Sequence, residues 1–211
     1  MPPRSLVAIG LGSIFICAAA FAGKTPELPV DRITVSNLRP ATPYRLYLND
    51  AAFPHIIDSK LLIIDGASLK LEGMLGTAYV AHTALSPDRS EIYASTTYYA
   101  RLNRGERFDQ IDVYDAITLK LKAEIPLPGK RALALAYKGL IRSSANGRFI
   151  FVQNATPATS VSVVDREAGK FVTEVPTPGC WAIYTPATVS DRFSSLCGDG
   201  TMLTVMLDEK G

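Results

Sequence analysis

An aspartate-centred segment occurs three times in this chain at constant spacing. The copies are LLIIDGASLKLEGML at 61–75, IDVYDAITLKLKAEIPLP at 111–128 and VSVVDREAGKFVTEV at 161–175. Their aspartates are 50 positions apart: Asp65, Asp115 and Asp165. An aspartate followed by small or turn-forming residues can accept hydrogen bonds from its own downstream backbone, which favours a tight turn. Each copy is therefore predicted to be a β-hairpin.

Apolar residues follow the same offset on both sides of each aspartate. The matched columns are Ile63/Val113/Val163, Leu71/Leu121/Phe171 and Leu75/Ile125/Val175. These are alternate positions, as a strand with one buried face requires. In the second copy the alternation places four apolar residues on one side of the strand and three charged residues on the other. The two sets are Leu119, Leu121, Ala123 and Ile125, and Lys120, Lys122 and Glu124.

A second kind of hairpin precedes two of the copies. Segments 81–96 and 139–154 each have the pattern strand, polar turn, strand, with turns at 86–88 and 146–147. Two hairpins per repeat make four strands, and four short strands recurring every ~40 to 50 residues are typical of a propeller blade. The sequence predicts an all-β partial β-propeller of four-stranded antiparallel blades. Its four repeats are 45–75, 81–127, 139–177 and 180–211, and the last lacks a final strand.

The N-terminal residues 1–22 have the pattern of a secretory signal peptide. A cation at Arg4 precedes an apolar run that ends at Ala20-Phe21-Ala22, a small-x-small cleavage pattern. The alternative is an N-terminal membrane anchor, although the run is shorter than the ~20 residues of a bilayer span. Residues 23–44 contain four prolines and predict an extended arm. The net charge of +2, with both signs interspersed, gives no support for binding nucleic acid or a membrane surface after signal cleavage.

Two cysteines remain after signal cleavage, Cys180 and Cys197, which are 17 positions apart. In an exported chain this pair indicates one disulfide closing a hairpin, and the alternative is two buried free thiols. The chain has only two histidines, His55 and His82, and no second metal ligand lies near either in sequence. We therefore expect no metal site and find no catalytic motif.

The densest cationic segment is YYARLNRGERFDQ, at 98–110. We expect a long loop here. It can be a solvated hairpin loop, or it can contact a partner, because binding residues are often placed on long loops of a rigid scaffold.

Five longer segments carry a resemblance to a known family. They are RLYLNDAAFPH at 45–55, IDGASLKLEGML at 64–75, TTYYARLNRGERFDQIDVYDAITL at 96–119, GRFIFVQNATPATSVSVVD at 147–165, and GCWAIYTP with SLCGDGTMLTVMLDE within 179–209. In order, they resemble the heavy subunit of quinoprotein amine dehydrogenases, and are more similar to the aromatic amine dehydrogenase branch than to the methylamine branch.

The resemblance implies a periplasmic enzyme of two heavy and two light subunits. The heavy subunit would be a seven-bladed propeller without a cofactor of its own. The tryptophan tryptophylquinone and the catalytic aspartate would belong to the light subunit. A primary amine would be oxidised to aldehyde and ammonia, and electrons would pass to a blue copper protein. The resemblance assigns no catalytic residue to this chain.

The resemblance also implies roles for individual residues. Phe53 matches a phenylalanine at the substrate channel, although an aromatic packed locally in a blade loop is an equal alternative. Cys180 and Cys197 match the disulfide of the heavy chain. Seven blades would need about 350 residues, so the sequence is expected to be an N-terminal fragment with about four blades. A secreted β-propeller binding module without redox function is the other interpretation.

Overall fold

The structure is a computed structural model that describes residues 37–134, 137–208 and 211. The predicted signal peptide at 1–22, and the predicted arm up to residue 36, lie outside the described residues. Residues 37–42 of the arm have no regular secondary structure. Within the described ranges, no helix has the length and apolar character needed to cross a bilayer.

Strands account for most of the described chain. In order they are β1 (Arg45–Asp50), β2 (Ser59–Asp65), β3 (Lys70–Leu85), β4 (Glu91–Arg101), β5 (Arg104–Asp115), β6 (Leu121–Leu127), β7 (Ile141–Ser143), β8 (Phe149–Asn154), β9 (Ser160–Asp165), β10 (Lys170–Pro176), β11 (Cys180–Tyr184), β12 (Arg192–Cys197) and β13 (Met202–Met206). Two single 3-10 turns lie between strands, at Phe53–His55 and Lys138–Leu140.

The strands form four antiparallel sheets in chain order. The long strand β3 is shared: its first half pairs with β2 up to Ala78, and its second half pairs with β4 from Tyr79 onward. Positive φ angles at Ala78 and Val80 break the extended conformation where the pairing changes. β7 to β10 form the third sheet and β11 to β13 the fourth. The fold is an all-β, incomplete β-propeller, as the repeats predicted.

The second and third sheets have the four strands expected of a blade. The first contains only β1, β2 and half of β3 among the described residues, and the fourth contains β11 to β13. Four strands were expected in each blade, and the first sheet has three, because the repeat at 45–75 provides only β1, β2 and the first half of β3.

The three aspartate hairpins form as predicted. Asp65 accepts a hydrogen bond from the backbone N–H of Ala67 (3.0 Å), and Asp165 accepts one from Ala168 (2.9 Å). Asp115 accepts one from Thr118 (2.7 Å). The other hairpins also form, with polar turns closed by serine. Ser86 Oγ accepts from the Glu91 N–H, and Ser144 Oγ accepts from the Phe149 N–H in the equivalent position.

The predicted alternation in the second copy is wrong at its start. Leu121 pairs with Tyr114 whereas Ala123 pairs with Val113, so Lys122 is an extra residue in a β-bulge. A bulge reverses the side-chain parity, and Leu121 consequently lies on the opposite face from Ala123 and Ile125. Leu119 lies in the turn with a φ of 56°. The same irregularity occurs after Leu71 and Phe171, so the middle column of the repeat does not lie on the buried face.

Each pair of neighbouring sheets is joined by its own apolar core. The equivalent residues Ile63, Val113 and Val163 are fully buried, one in each core. The core between the second and third sheets is formed by Tyr93, Ile111, Val113, Ile125, Ile141, Ile150, Val152 and Val164. Sheets packed face to face in this way are the basic arrangement of a propeller.

Apolar residues are exposed on the outer faces of the two terminal sheets. On the first sheet, the cross-strand rows are Leu46–Ile64–Leu71 and Leu48–Leu62–Met74. Leu46, Leu48, Leu71 and Met74 are each more than half exposed. On the fourth sheet Leu196, Met202 and Met206 are exposed to a similar extent. We call the first of these surfaces the open face.

Candidate functional site: the loop edge that carries Phe53

Phe53 lies in the connection between β1 and β2, on a compact turn. Ala52 has a left-handed backbone (φ 46°), and its N–H donates to Asp50 Oδ1 at 2.8 Å. The turn continues with the His55 N–H donating to the Ala52 carbonyl at 2.6 Å. Ser59 Oγ donates to the Ala51 carbonyl at 3.2 Å and ties the turn to the sheet. The turn is therefore ordered by local bonds.

The Phe53 side chain is 56% exposed. It belongs to none of the three apolar cores that join the sheets. A large aromatic group held on an ordered turn and left exposed is available for contact with a partner.

The turn with Phe53 lies at the same edge as the segment 98–108. Ser59, where the turn rejoins the sheet, pairs with Ala78 of β3. Tyr79, which follows Ala78 in β3, pairs with Thr97, the last buried residue of β4. The connection after β6 starts at this edge too, because Leu127 pairs with Asp109. We call the surface formed by residues 51–58, 98–108 and 128–134 the loop edge.

The hairpin expected at 98–110 forms, but most of the segment is paired strand rather than loop. β4 and β5 continue past the sheet, with Tyr98 opposite Phe108 and Arg101 opposite Arg104. The loop is confined to the tip of the hairpin, because β4 and β5 continue to pair with each other beyond the buried part of the sheet. The hairpin exposes Tyr98, Leu102 and Phe108 together with both arginines.

A buried arginine fixes the base of this hairpin. Arg131 is 1% exposed, and its guanidinium donates to the carbonyls of Tyr79 (2.8 Å) and Val80 (2.9 Å). It also donates twice to Thr97 Oγ1, from Nε at 3.1 Å and from Nη2 at 2.9 Å. Burial lowers the pKa of Arg131 to about 10, so the group remains cationic at neutral pH.

Asp109 completes the network on the hairpin side. Its carboxylate accepts from Thr97 Oγ1 (2.7 Å) and from the backbone N–H of Arg131 (3.0 Å). Arg107 donates to both carboxylate oxygens, at 2.8 and 2.7 Å, and also to the Arg131 carbonyl at 2.8 Å. The hairpin and the 128–134 connection are consequently held as one rigid unit.

His82 packs against the same arginine. Its Nε2 donates to the Ala134 carbonyl at 3.0 Å and its Nδ1 accepts from Arg131 Nη1 at 3.3 Å, so the neutral imidazole has both nitrogens satisfied. Burial, followed by the charge of Arg131, lowers the pKa of His82 to about 4. His55 lies on the exposed turn after Phe53. Neither histidine belongs to a metal-ligating cluster within the described residues.

A second polar cluster lies along the hairpin. Asp112 is 1% exposed and accepts from the Tyr98 hydroxyl (2.7 Å) and from Gln110 Nε2 (2.5 Å). Burial raises the pKa of Asp112, and burial and the carboxylate together raise the pKa of Tyr98. No cation within salt-bridge distance of Asp112 occurs in the described part of the chain. The cluster secures Tyr98 at the start of the hairpin.

Cys180 and Cys197 form a disulfide between β11 and β12, where they are directly opposite in the sheet. The disulfide and Phe53 were identified in the sequence. Arg131, Asp109 and Thr97 were not, because they belong to no repeated column. The one available signal was an arginine directly before the apolar run ALALAY.

These observations define a class of protein: a propeller scaffold that presents a rigid edge of aromatic and cationic groups. The profile of the family described as "Methylamine dehydrogenase heavy chain (MADH)" matches residues 42–211. The chain belongs to this family.

Curated relatives share this description. Methylamine dehydrogenase heavy chains match at 32% identity over 189 residues in Methylobacillus flagellatus (90% of this chain, 46% of that protein) and at 28% over 167 residues in Methylophilus methylotrophus (79% and 40%). The protein of that description from Methylorubrum extorquens is 26% identical over 203 residues (96% and 48%). This chain spans about half the length of the curated relatives it matches.

A solved structure shares the fold at low sequence identity. It is described as "Dihydro-heme d1 dehydrogenase NirN in complex with DHE" and matches with a TM-score of 0.51 and 16% identity. The match covers 84% of this chain and 38% of the other.

Proposed function

We propose that this chain forms part of the heavy subunit of a periplasmic amine dehydrogenase, as a scaffold that binds a separate, cofactor-bearing light subunit. The match to the heavy-chain family over residues 42–211 carries this proposal. The reaction is the oxidative deamination of a primary amine to aldehyde and ammonia. Two electrons leave the amine carbon and pass, through the light subunit, to a blue copper protein.

The cofactor of this reaction belongs to the partner. Tryptophan tryptophylquinone, which accepts the two electrons, is made from two tryptophan side chains, and this chain has one tryptophan, Trp181. Trp181 lies in β11, opposite Leu196 in the fourth sheet. The chain therefore supplies binding and shape rather than the reactive group.

The loop edge is the surface that we assign to the light subunit. Its hairpin is fixed by Arg131 and Asp109, so little order has to be gained on binding. Phe53 is exposed at this edge, as a residue at a channel shared by two subunits would be before the partner is bound. In this arrangement Phe53 contacts the amine as it approaches the cofactor and limits its size.

An aromatic amine is the substrate class that we propose. The basis is the resemblance of the five segments between residues 45 and 209, taken together, to the aromatic amine dehydrogenase branch. The curated relatives are described as methylamine dehydrogenase heavy chains, so methylamine is the comparison substrate. The Cys180–Cys197 disulfide supports export to the periplasm, since disulfides persist in oxidising compartments.

The exposed hairpin also supports a second candidate, a secreted β-propeller binding module without redox function. Arg101 and Arg104 are exposed and opposite each other at the tip, an arrangement suited to an anionic partner of any kind. The two candidates differ in whether the partner carries a quinone.

The deciding experiment is purification of the tagged chain from the periplasm of its host. We expect it to bring down a small, cysteine-rich subunit that stains as a quinone protein, and the complex to reduce a redox dye when 2-phenylethylamine is added. A complex without quinone would favour the binding module. Amine-dependent dye reduction by the purified chain alone would refute the scaffold role.

A further inference from the structure

A cavity of about 770 Å³ is lined by residues of the first three sheets. Its walls are formed by β1, the second half of β3, β7 and the residues just before β7. The volume is in the range of small-molecule sites in proteins.

Four basic side chains line this cavity: Arg45, Arg89, Lys138 and Arg142. No aspartate or glutamate is among its lining residues. Arg45 is neutralised by Glu72, whose carboxylate lies 2.9 Å from its Nη2. Arg89, Lys138 and Arg142 make no salt bridge with any described residue. The cavity thus concentrates positive charge against a partly apolar wall, where a charge interacts more strongly than in water.

Two guanidinium N–H groups of the cavity residues lack an acceptor. Arg142 Nε and Arg45 Nη1 are shielded from solvent and have no hydrogen-bond partner among the described residues. Arg45 is itself 9% exposed. Buried polar groups are nearly always hydrogen-bonded, and a charged donor is among the most costly to leave unpaired. Asn49 Oδ1, an acceptor, is likewise shielded and unpaired among the described residues, so the ligand is indicated by the uncompensated charge of Arg89, Lys138 and Arg142.

We propose that this cavity binds an anion with carboxylate or phosphate oxygens, bound by the guanidinium of Arg142 and attracted by Arg89 and Lys138. The planar guanidinium group matches two oxygens of such an anion. Tyr137 and Ser143 also line the cavity and carry hydroxyl groups that can donate to its remaining oxygens. This site is independent of the amine dehydrogenase assignment.

The oxygens can come from two sources. One is a small anion from solution. The other is an acidic side chain of the further propeller sequence present in the relatives, which are about twice as long as this chain. Both would form the same bonds with Arg142, and experiments on two chain lengths distinguish them.

The test measures inorganic phosphate binding by calorimetry at constant ionic strength, with thermal unfolding in parallel. It uses the 211-residue chain and a heavy chain extended to the length of its relatives. Arg142→Gln removes the uncompensated guanidinium charge that we assign to the anion. Lys170→Gln is the matched control, because Lys170 is an exposed cation outside the cavity. Arg89→Gln, at an exposed position, tests the site if the Arg142 variant fails to fold.

For a solution anion we expect both lengths to bind phosphate, at least tenfold more weakly in Arg142→Gln and several-fold more weakly in Arg89→Gln. Lys170→Gln should bind as the unchanged protein does. If the oxygens instead come from an acidic side chain of the longer protein, we expect phosphate to bind to the 211-residue chain and not to the extended chain. In the extended chain, Arg142→Gln should then lower the melting temperature more than Lys170→Gln does. The proposal is overturned if phosphate binding depends on neither arginine and the Arg142 and Lys170 variants of the extended chain melt alike.

Discussion

Thr97 Oγ1 accepts two hydrogen bonds from the Arg131 guanidinium and donates its own proton to Asp109 at 2.7 Å. One hydroxyl thus joins the connection between two sheets to the base of the exposed hairpin. Because Thr97 lies at the point where β4 leaves the sheet, this contact determines where the hairpin begins to protrude.

Replacing Arg131 by methionine should strongly destabilise the chain. The substitution keeps an apolar stem but removes the guanidinium donors to the carbonyls of Tyr79 and Val80 and to Thr97 Oγ1. We expect a loss of about 3 kcal/mol or more in the free energy of unfolding, measured by urea titration. Arg104→Met, at the exposed hairpin tip, is the control and should change stability by less than about 0.5 kcal/mol. Equal effects would show that the network contributes little.

The chain should become less stable as the pH falls, and part of this loss should depend on His82. Its pKa is lowered to about 4 in the folded protein, from 6.5 in the unfolded chain. The unfolded state therefore binds more protons between these values, and stability is lost as the pH falls from about 6.5 to about 4. The shift corresponds to about 3 kcal/mol at most.

The measurement is the urea midpoint at several pH values for the unchanged chain and for His82→Gln. Glutamine can still donate to the Ala134 carbonyl but does not titrate in this range. Carboxylates with a lowered pKa, such as Asp88 at about 2, also make the stability sensitive to acid. Their contribution is the same in both proteins, so the difference between the two pH profiles isolates the contribution of His82. Parallel pH profiles would contradict a buried neutral imidazole.

The repeated hairpins could be predicted because their cause is local. Asp115 bonds backbone groups two and three residues away, and this chemistry is visible in the sequence. The bulge at Lys122 could not be predicted, because the parity of a strand depends on its partner. The role of Arg131 could not be predicted either, because its partners Thr97 and Tyr79 lie 34 and 52 positions away in the sequence.

The loop edge shows the same division between local and distant causes. The hairpin at 98–110 was expected from the sequence, whereas the length of its paired strands was not, because that pairing is set by the parts of β4 and β5 that lead into it. Phe53 was identified through a family resemblance, whereas its exposure follows from the turn that surrounds it.

Breaking the disulfide should loosen the fourth sheet without unfolding the others. The bond closes a loop between residues 17 positions apart, for which loop closure predicts about 3 kcal/mol. Cys197→Ser should increase amide hydrogen exchange in β11 to β13 and leave β4 and β5 protected, as measured by mass spectrometry. The double variant Cys180→Ser, Cys197→Ser is the control for a new unpaired thiol. Finding two free thiols in the exported protein would remove the basis of this prediction.

In the assembled dehydrogenase, Phe53→Ala should change substrate preference more than stability. If Phe53 lines the proposed channel, removing its ring widens the entrance, and the ratio of kcat/KM for 2-phenylethylamine to that for methylamine should rise on the order of tenfold. Tyr44→Ala, an exposed aromatic outside the loop edge, should leave the ratio unchanged. An unaltered ratio in the Phe53 variant would place the channel elsewhere.

The open face should make the 211-residue chain self-associate. Leu48 and Met74 lie in one cross-strand row and are each more than half exposed, and contiguous apolar surface of this kind promotes association. Replacing both by lysine places charges in that row without entering an inter-sheet core, so the chain should elute nearer its monomer mass in gel filtration with little loss of stability. Lys60→Gln and Lys70→Gln, on the same sheet, are matched controls that should not reduce association. If the lysine variant associates as strongly as the unchanged chain, the open face is not the contact, and the exposed residues of the fourth sheet, Leu196 and Met202, become the next ones to replace.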